Sequence, residues 1–123
     1  MVKNIHILLV DDSEVILSRL KTILSGEESI EAIETAVTVK EAKERIEKQK
    51  PDVIILDVKL PDGNGIIFLK QIKFMYPEII VVILTNWSDS YFKSAAEKYG
   101  ADYFLDKSME FEKLPWLLTE LSN

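Results

Sequence analysis

No cysteine occurs anywhere in the 123 residues. Disulfides, thiolate metal sites and cysteine nucleophiles are therefore excluded together. Histidine is nearly as scarce. His6 is the only one, and one imidazole cannot build a multi-histidine metal site; it lies in an apolar run and reads as an ordinary strand position. Positive charge is in deficit, with 15 Lys and Arg against 21 Asp and Glu and a net charge of -6. That balance argues against direct contact with nucleic acid or an anionic membrane. Neither a signal peptide nor an apolar stretch long enough to span a bilayer is seen, so a cytoplasmic location is the default expectation. Repeats, low-complexity tracts and linkers are missing too. The length suits one domain over residues 1–123, able to bury roughly two thirds of its unfolded surface without staples.

What is present is organised around Val53-Ile54-Ile55-Leu56-Asp57. Four β-prone apolar residues run into one carboxylate, and Leu60-Pro61-Asp62-Gly63-Asn64-Gly65 follows at once. A short apolar run bounded by turn residues reads as a strand buried on both faces. Asp57 would then stand at its carboxyl end, the edge where open α/β sheets bind ligands. Ile5 to Val10 is a similar run, ending in Asp11-Asp12-Ser13. Ser13 can cap a helix over Glu14 to Ser25, with Leu17, Leu20 and Leu24 on its inner face, Val15 opposite, and Gly26 as C-cap. Ile30 to Val37 reads as an edge strand. Thr38-Val39-Lys40-Glu41 fits a capping box for a charged helix reaching about Gln49.

Beyond Pro51 and the Asp57 strand, Gly65 to Tyr76 has helical spacing, with Ile66, Leu69, Ile72 and Phe74 or Met75 as its apolar stripe. Ile79 to Leu84 is another apolar strand, followed by Thr85-Asn86-Trp87-Ser88. Ser88 or Asp89 can cap a helix reaching Tyr99, closed by Gly100. Ala101 to Leu105 is a last short strand, followed by Asp106-Lys107-Ser108. The final amphipathic helix begins near Glu112 to Leu114, because Pro115 is tolerable only in a first turn. Strands alternating with helices imply a parallel sheet covered on both faces. Every strand's carboxyl end then lies on one edge, so Asp11, Asp12, Asp57, Thr85 and Lys107 converge there. Asp62 is read as a turn or helix-cap residue.

Three carboxylates close together repel and call for a cation. A hard divalent ion held by oxygen ligands fits best, and Mg²⁺ above all. Lys107 adds a mobile positive charge suited to a phosphoryl group, and Thr85 a hydroxyl donor. The set suits phosphoryl transfer, which depends on positioning and charge neutralisation. A carboxylate can itself accept the phosphoryl group as an acyl phosphate.

With those residues in place, the sequence resembles the receiver domain of two-component response regulators over its whole length. The resemblance rests on Asp11-Asp12, the strand ending in Asp57, Leu60-Pro61-Asp62-Gly63, Thr85, and Gly100-Ala101-Asp102 leading to Lys107. It implies a flavodoxin-like (βα)5 three-layer sandwich with a five-stranded parallel sheet in the order 2-1-3-4-5. It implies that Asp57 takes a phosphoryl group from a phosphohistidine on a histidine kinase or histidine phosphotransfer protein. Asp12, Asp57 and the Lys59 backbone carbonyl would bind Mg²⁺ directly, with Asp11 acting mainly through a water. Lys107 would pair with a phosphoryl oxygen, and Thr85 would move to hydrogen-bond the group. Phe104, three residues before the lysine, matches the switch aromatic that alters the face of the fourth helix, last strand and last helix. The readout is a downstream protein target, from a monomer or a phosphorylation-linked homodimer, with no output domain following. Val15 is the candidate docking residue for the phosphodonor.

Four positions depart from the family pattern. Ser108 replaces the usual proline after the lysine. That Lys-Pro bond is typically cis, and a cis Lys107–Ser108 bond would cost about 3–4 kcal/mol. Asn86 stands where a small residue is usual. Lys59 and Trp87 flank the route of the hydrolytic water, so slow autodephosphorylation is expected. Two other readings compete. A haloacid-dehalogenase-type phosphatase would need an acid/base aspartate two residues after the nucleophile, where this chain has Lys59. A degenerate receiver would bind a partner without phosphorylation.

Overall fold

Apolar β-prone runs and helix-period stretches alternate along the chain, and the backbone follows that alternation. The computed structural model describes residues 4–86, 90–108 and 111–122. Strands β1 (Ile5–Val10), β2 (Ile30–Ala36), β3 (Val53–Leu56), β4 (Ile80–Thr85) and β5 (Tyr103–Asp106) form one sheet. Helices α1 (Glu14–Leu24), α2 (Val39–Lys48), α3 (Gly65–Met75), α4 (Ser90–Lys98) and α5 (Leu114–Ser122) alternate with them. A short 3-10 turn, Phe111–Lys113, leads into α5. Pro115 therefore falls in the first helical turn, where its missing N–H breaks no helical bond. The sheet order is β2-β1-β3-β4-β5, with every neighbouring pair parallel. The flavodoxin-like (βα)5 sandwich expected from the sequence is the fold observed.

Alternate residues of the inner strands feed two cores. Leu8, Val10, Ile54, Leu56, Val81 and Ile83 cluster with Ile46 of α2, Leu69 of α3 and Ala96 of α4. Ile7, Leu9, Val53, Ile55, Val82 and Leu84 cluster with Leu17 and Leu20 of α1 and Leu118 of α5. All four residues of β3 are buried, which explains why that strand shows no polar alternation. Truncating one of them, as in Leu56→Ala, costs about 2–5 kcal/mol. The helix starts are also as expected: the Ser13 side chain accepts from the Ile16 N–H at 3.3 Å, and that of Thr38 from the Glu41 N–H at 3.0 Å.

Some boundaries differ. α1 ends on Ser25 in a right-handed conformation rather than on a left-handed Gly26; Gly100, with φ 95, is the glycine that closes a helix this way. β4 runs through Thr85, one residue later than expected. β5 begins only at Tyr103; before it, the Asp102 N–H donates to the Val81 carbonyl at 2.9 Å, and its carboxylate accepts from the Val81 N–H (2.8 Å) and the Lys73 ammonium (2.7 Å). The inner stripe of α3 is Ile66, Phe68, Leu69 and Ile72 and does not include Phe74 or Met75, which are 88% and 65% exposed. Two residues rotate a helix by about 200°, which carries Phe74 away from Ile72; the stripe continues instead to the partly buried Tyr76. The expected caps Ser88 and Asp89 lie outside the described residues, as does Trp87.

Candidate functional site at the carboxyl edge of the sheet

Parallel topology brings four strand ends to one edge, and each delivers a polar group there. Asp11 follows β1 and Asp57 follows β3, both buried; Thr85 is the fully buried last residue of β4; Lys107 follows β5. The Lys107 N–H donates to the Thr85 carbonyl at 3.0 Å, which ties the last two strand ends together. The Lys107 Nζ donates to Asp57 Oδ2 at 2.8 Å and lies 2.5 Å from Asp11 Oδ2. The other oxygens are held by backbone: Asp57 Oδ1 accepts from the Val58 N–H at 2.7 Å, and Asp11 Oδ1 from the Ser13 N–H at 2.9 Å. Asp12 is exposed, yet one oxygen from each of Asp11, Asp12 and Asp57 falls within 4.8 Å of the others. The five residues that sequence reasoning drew to this edge do meet there.

The electrostatics follow from one ammonium serving two buried carboxylates. Burial pushes the Asp11 carboxyl above its ordinary value, outweighing the hydrogen bonds from Lys107 and Ser13. Burial also pulls Lys107 down, but its bonds to Asp11 and Asp57 and their charges outweigh this, so its pKa lies above the usual lysine value. Lys107 is therefore a firmly held cation. Asp11 is an anion kept at some cost, which a further cation would relieve.

The segment after Asp57 is folded back on itself. Lys59–Leu60 pairs antiparallel with Gly63–Asn64, leaving Pro61-Asp62 as a two-residue tip. The Gly65 N–H closes the base on the Val58 carbonyl at 2.6 Å. A Cβ at Gly65 would lie 2.1 Å from the Asp57 carbonyl oxygen and 2.8 Å from Val58 Cα. Glycine is thus required by the backbone that carries Asp57. The sequence marks Gly65 as the end of a turn-rich stretch and the start of a helix, and neither reading shows that the Asp57 backbone passes this close. Asp62 is a cap, but of a distant helix: its carboxylate accepts from the Val39 N–H at 2.7 Å and the Lys40 N–H at 3.0 Å, at the start of α2.

The departures take these positions. No cis peptide occurs among the described residues, so the Lys107–Ser108 bond is trans. The turn is held instead by Asp106, whose Oδ1 accepts from both the N–H and the Oγ of Ser108, at 2.8 and 2.6 Å. That Asx-type turn still places the Lys107 ammonium on Asp57. Asn86 and Lys59 are exposed beside the site. Phe104 is half-buried against the α2–α3–α4 core. Val15 on α1 is 77% exposed.

The chain matches the family described as the response regulator receiver domain over residues 7–119. It belongs to that family. The receiver is 27% identical to a CheY-like response regulator receiver domain protein from Methanospirillum hungatei, with a TM-score of 0.87 over 97% of this chain and 94% of that one. It is 29% identical to the response regulator domain of CheB from Thermotoga maritima, with a TM-score of 0.83 over 97% and 93%. Among curated proteins it is 32% identical over 106 residues to the DNA-binding transcriptional activator DevR/DosR of Mycobacterium tuberculosis, covering 86% of this chain and 49% of that protein. It is 38% identical over 107 residues to a protein-glutamate methylesterase/protein-glutamine glutaminase of Geobacter metallireducens, covering 85% of this chain and 30% of that one. The receiver thus spans half the length, or less, of these curated relatives. No helix among its described residues is long and apolar enough to cross a membrane.

Proposed function

We propose that the receiver is a phosphorylatable signalling switch with Asp57 as its phosphoryl acceptor. The observation that carries this reading is the Lys107 ammonium set between Asp57 and Asp11, 2.8 and 2.5 Å away, inside a cluster of three carboxylates. Hard oxygen donors within 4.8 Å of one another suit Mg²⁺. Asp12, Asp57 and the Lys59 backbone carbonyl would hold it, with Asp11 reaching it through a water. Bound there, Mg²⁺ supplies charge neutralisation for the phosphoryl oxygens.

The protein's own groups do the rest. An Asp57 carboxylate oxygen forms the new P–O bond as the P–N bond to the donor imidazole breaks; the imidazole leaves with the electron pair and takes up a proton. Lys107, released from sharing with Asp11, pairs with a phosphoryl oxygen. Thr85 donates its hydroxyl to the same group, and Phe104 changes rotamer with it. That shift biases the α4–β5–α5 face between two packings and so alters a protein contact. The donor is a histidine kinase or histidine phosphotransfer protein, and exposed Val15 is its candidate contact. The output is a downstream protein target, reached by a monomer or a phosphorylation-linked homodimer in the cytoplasm. The chain catalyses only its own phosphorylation and dephosphorylation. Slow dephosphorylation belongs to this reading, on the identity of the residues at positions 59 and 87.

The test is incubation with Mg²⁺ and acetyl phosphate, read by intact mass. A gain of one phosphoryl group that requires Mg²⁺ and is absent in Asp57→Asn is the expected result. No gain in the wild type, or an equal gain in Asp57→Asn, would overturn the reading.

A further inference from the structure

We infer that Asp62 is a positioning residue for the metal-binding loop, acting by docking that loop on the start of α2. The inference rests on the proposed role of the Lys59 carbonyl as a metal ligand. Lys59 lies in a short hairpin fixed at its base by the Gly65 N–H on the Val58 carbonyl at 2.6 Å and along its length by the Lys59–Asn64 and Leu60–Gly63 pairs. Two strands of two residues each cannot hold a geometry alone in water. The tip needs an anchor, and Asp62 supplies it through both carboxylate oxygens, on the Val39 and Lys40 N–H groups at 2.7 and 3.0 Å.

Independent packing marks the same docking. A Cβ added at Gly63 would lie 3.2 Å from Val39 Cγ2, so the hairpin already sits closely against α2. The electrostatics agree, since those two N–H groups, Lys40's foremost, hold the Asp62 carboxyl below the usual carboxylate range. Thr38 shares the capping of α2, its side chain accepting from the Glu41 N–H at 3.0 Å. Asp62 takes the two N–H groups that Thr38 leaves, and its carboxylate meets the positive end of the helix dipole. The effect passes from helix to tip, from tip to ribbon, and from ribbon to the carbonyl of Lys59. Supporting groups of this kind typically change metal affinity by about 10- to 100-fold.

The experiment is a calorimetric Mg²⁺ titration of the full chain as wild type, Asp62→Ala, Asp62→Asn and Thr38→Ala, alongside amide hydrogen exchange over residues 59–64. Asp62→Ala is expected to weaken Mg²⁺ binding about tenfold and to speed exchange in the hairpin. Phosphoryl uptake from acetyl phosphate should then be slow at low Mg²⁺ and regain the wild-type rate at saturation. Asp62→Asn keeps one acceptor oxygen and should fall between the two. Thr38→Ala weakens the same helix without touching the hairpin, so its Mg²⁺ affinity and hairpin exchange should match the wild type. Wild-type affinity in Asp62→Ala, or an equal loss in Thr38→Ala, would overturn the inference while leaving the parent reading intact. A wild type that binds no Mg²⁺ would overturn both.

Discussion

The two edges of the sheet each carry a lysine among aspartates, yet they are wired for different ends. At the amino edge, Lys73 Nζ donates to the Ile79 carbonyl at 2.6 Å and to Asp102 Oδ2 at 2.7 Å, and that oxygen also accepts the Val81 N–H at 2.8 Å. Nearby, Asp52 Oδ2 accepts the His6 N–H at 2.9 Å. These carboxylates bind backbone at the starts of β4 and β1, and Lys73 meets its single carboxylate one to one. At the carboxyl edge, Lys107 is shared by two buried carboxylates, with Asp12 close by. Lys73 and Asp102 balance one another, whereas Lys107 is left with more negative charge than it can balance. The amino-edge groups fasten strands through backbone N–H groups, while the carboxyl-edge cluster retains an attraction for a cation.

Substitutions at the two edges should therefore act on different properties. The largest expected effect is at Gly65. Gly65→Ala must move the Asp57 backbone to relieve a 2.1 Å approach. Phosphoryl uptake measured by mass should fall about a hundredfold, the scale of a small misplacement of reacting groups. Unfolding free energy in urea should fall by about 1–3 kcal/mol. Lys73→Ala should do the reverse: it takes the ammonium away from the Ile79 carbonyl and from exposed Asp102 and lowers stability by about 1 kcal/mol, with the uptake rate unchanged. A loss of uptake in Lys73→Ala without a loss of stability would erase the contrast between the edges. Thr38→Ala, at the start of α2, should cost about 1 kcal/mol by the same urea measurement.

The smallest effect is in the pH profile. The Asp11 carboxyl is raised above 3.8 by burial, so between 3.8 and its folded value the native chain holds a proton that the unfolded chain has released. Its contribution to stability is complete below 3.8 and is lost as pH rises through the folded value. Asp62 is lowered below 3.8 by the Lys40 and Val39 N–H groups, so its contribution is present above 3.8 and is lost as pH falls through its folded value. Urea unfolding at stepped pH should therefore give difference profiles of opposite slope for Asp11→Asn and Asp62→Ala, each taken against the wild type.

How far the sequence could be read follows from which signals are local. The apolar strands, the Ser13 and Thr38 caps and the alternation of elements are short-range patterns, and parallel topology alone then gathers Asp11, Asp57, Thr85 and Lys107 at one edge. The end of the α3 stripe is not legible in the sequence, because a helix apolar on more than one side gives no clean period; Phe74 and Met75 continue the run of apolar residues but not the buried face. The partners of Asp62 lie more than twenty residues earlier, and the need for glycine at position 65 comes from a backbone approach that no side-chain pattern encodes. The turn that holds Lys107 beside Ser108 depended on Asp106, which reads in sequence as one more acidic residue.

Lys107 stands between two carboxylates, Asp57 and Asp11, that a metal ion and a phosphoryl group would engage on the proposed reading. Calorimetric Mg²⁺ titration of Lys107→Ala, paired with its rate of uptake from acetyl phosphate at saturating Mg²⁺, tests this most directly. Removing a cation that competes for Asp11 and Asp57 should tighten Mg²⁺ binding relative to the wild type. Removing the group that neutralises the phosphoryl oxygens should slow uptake by about a hundredfold. Weaker Mg²⁺ binding, or uptake at the wild-type rate, would contradict the account.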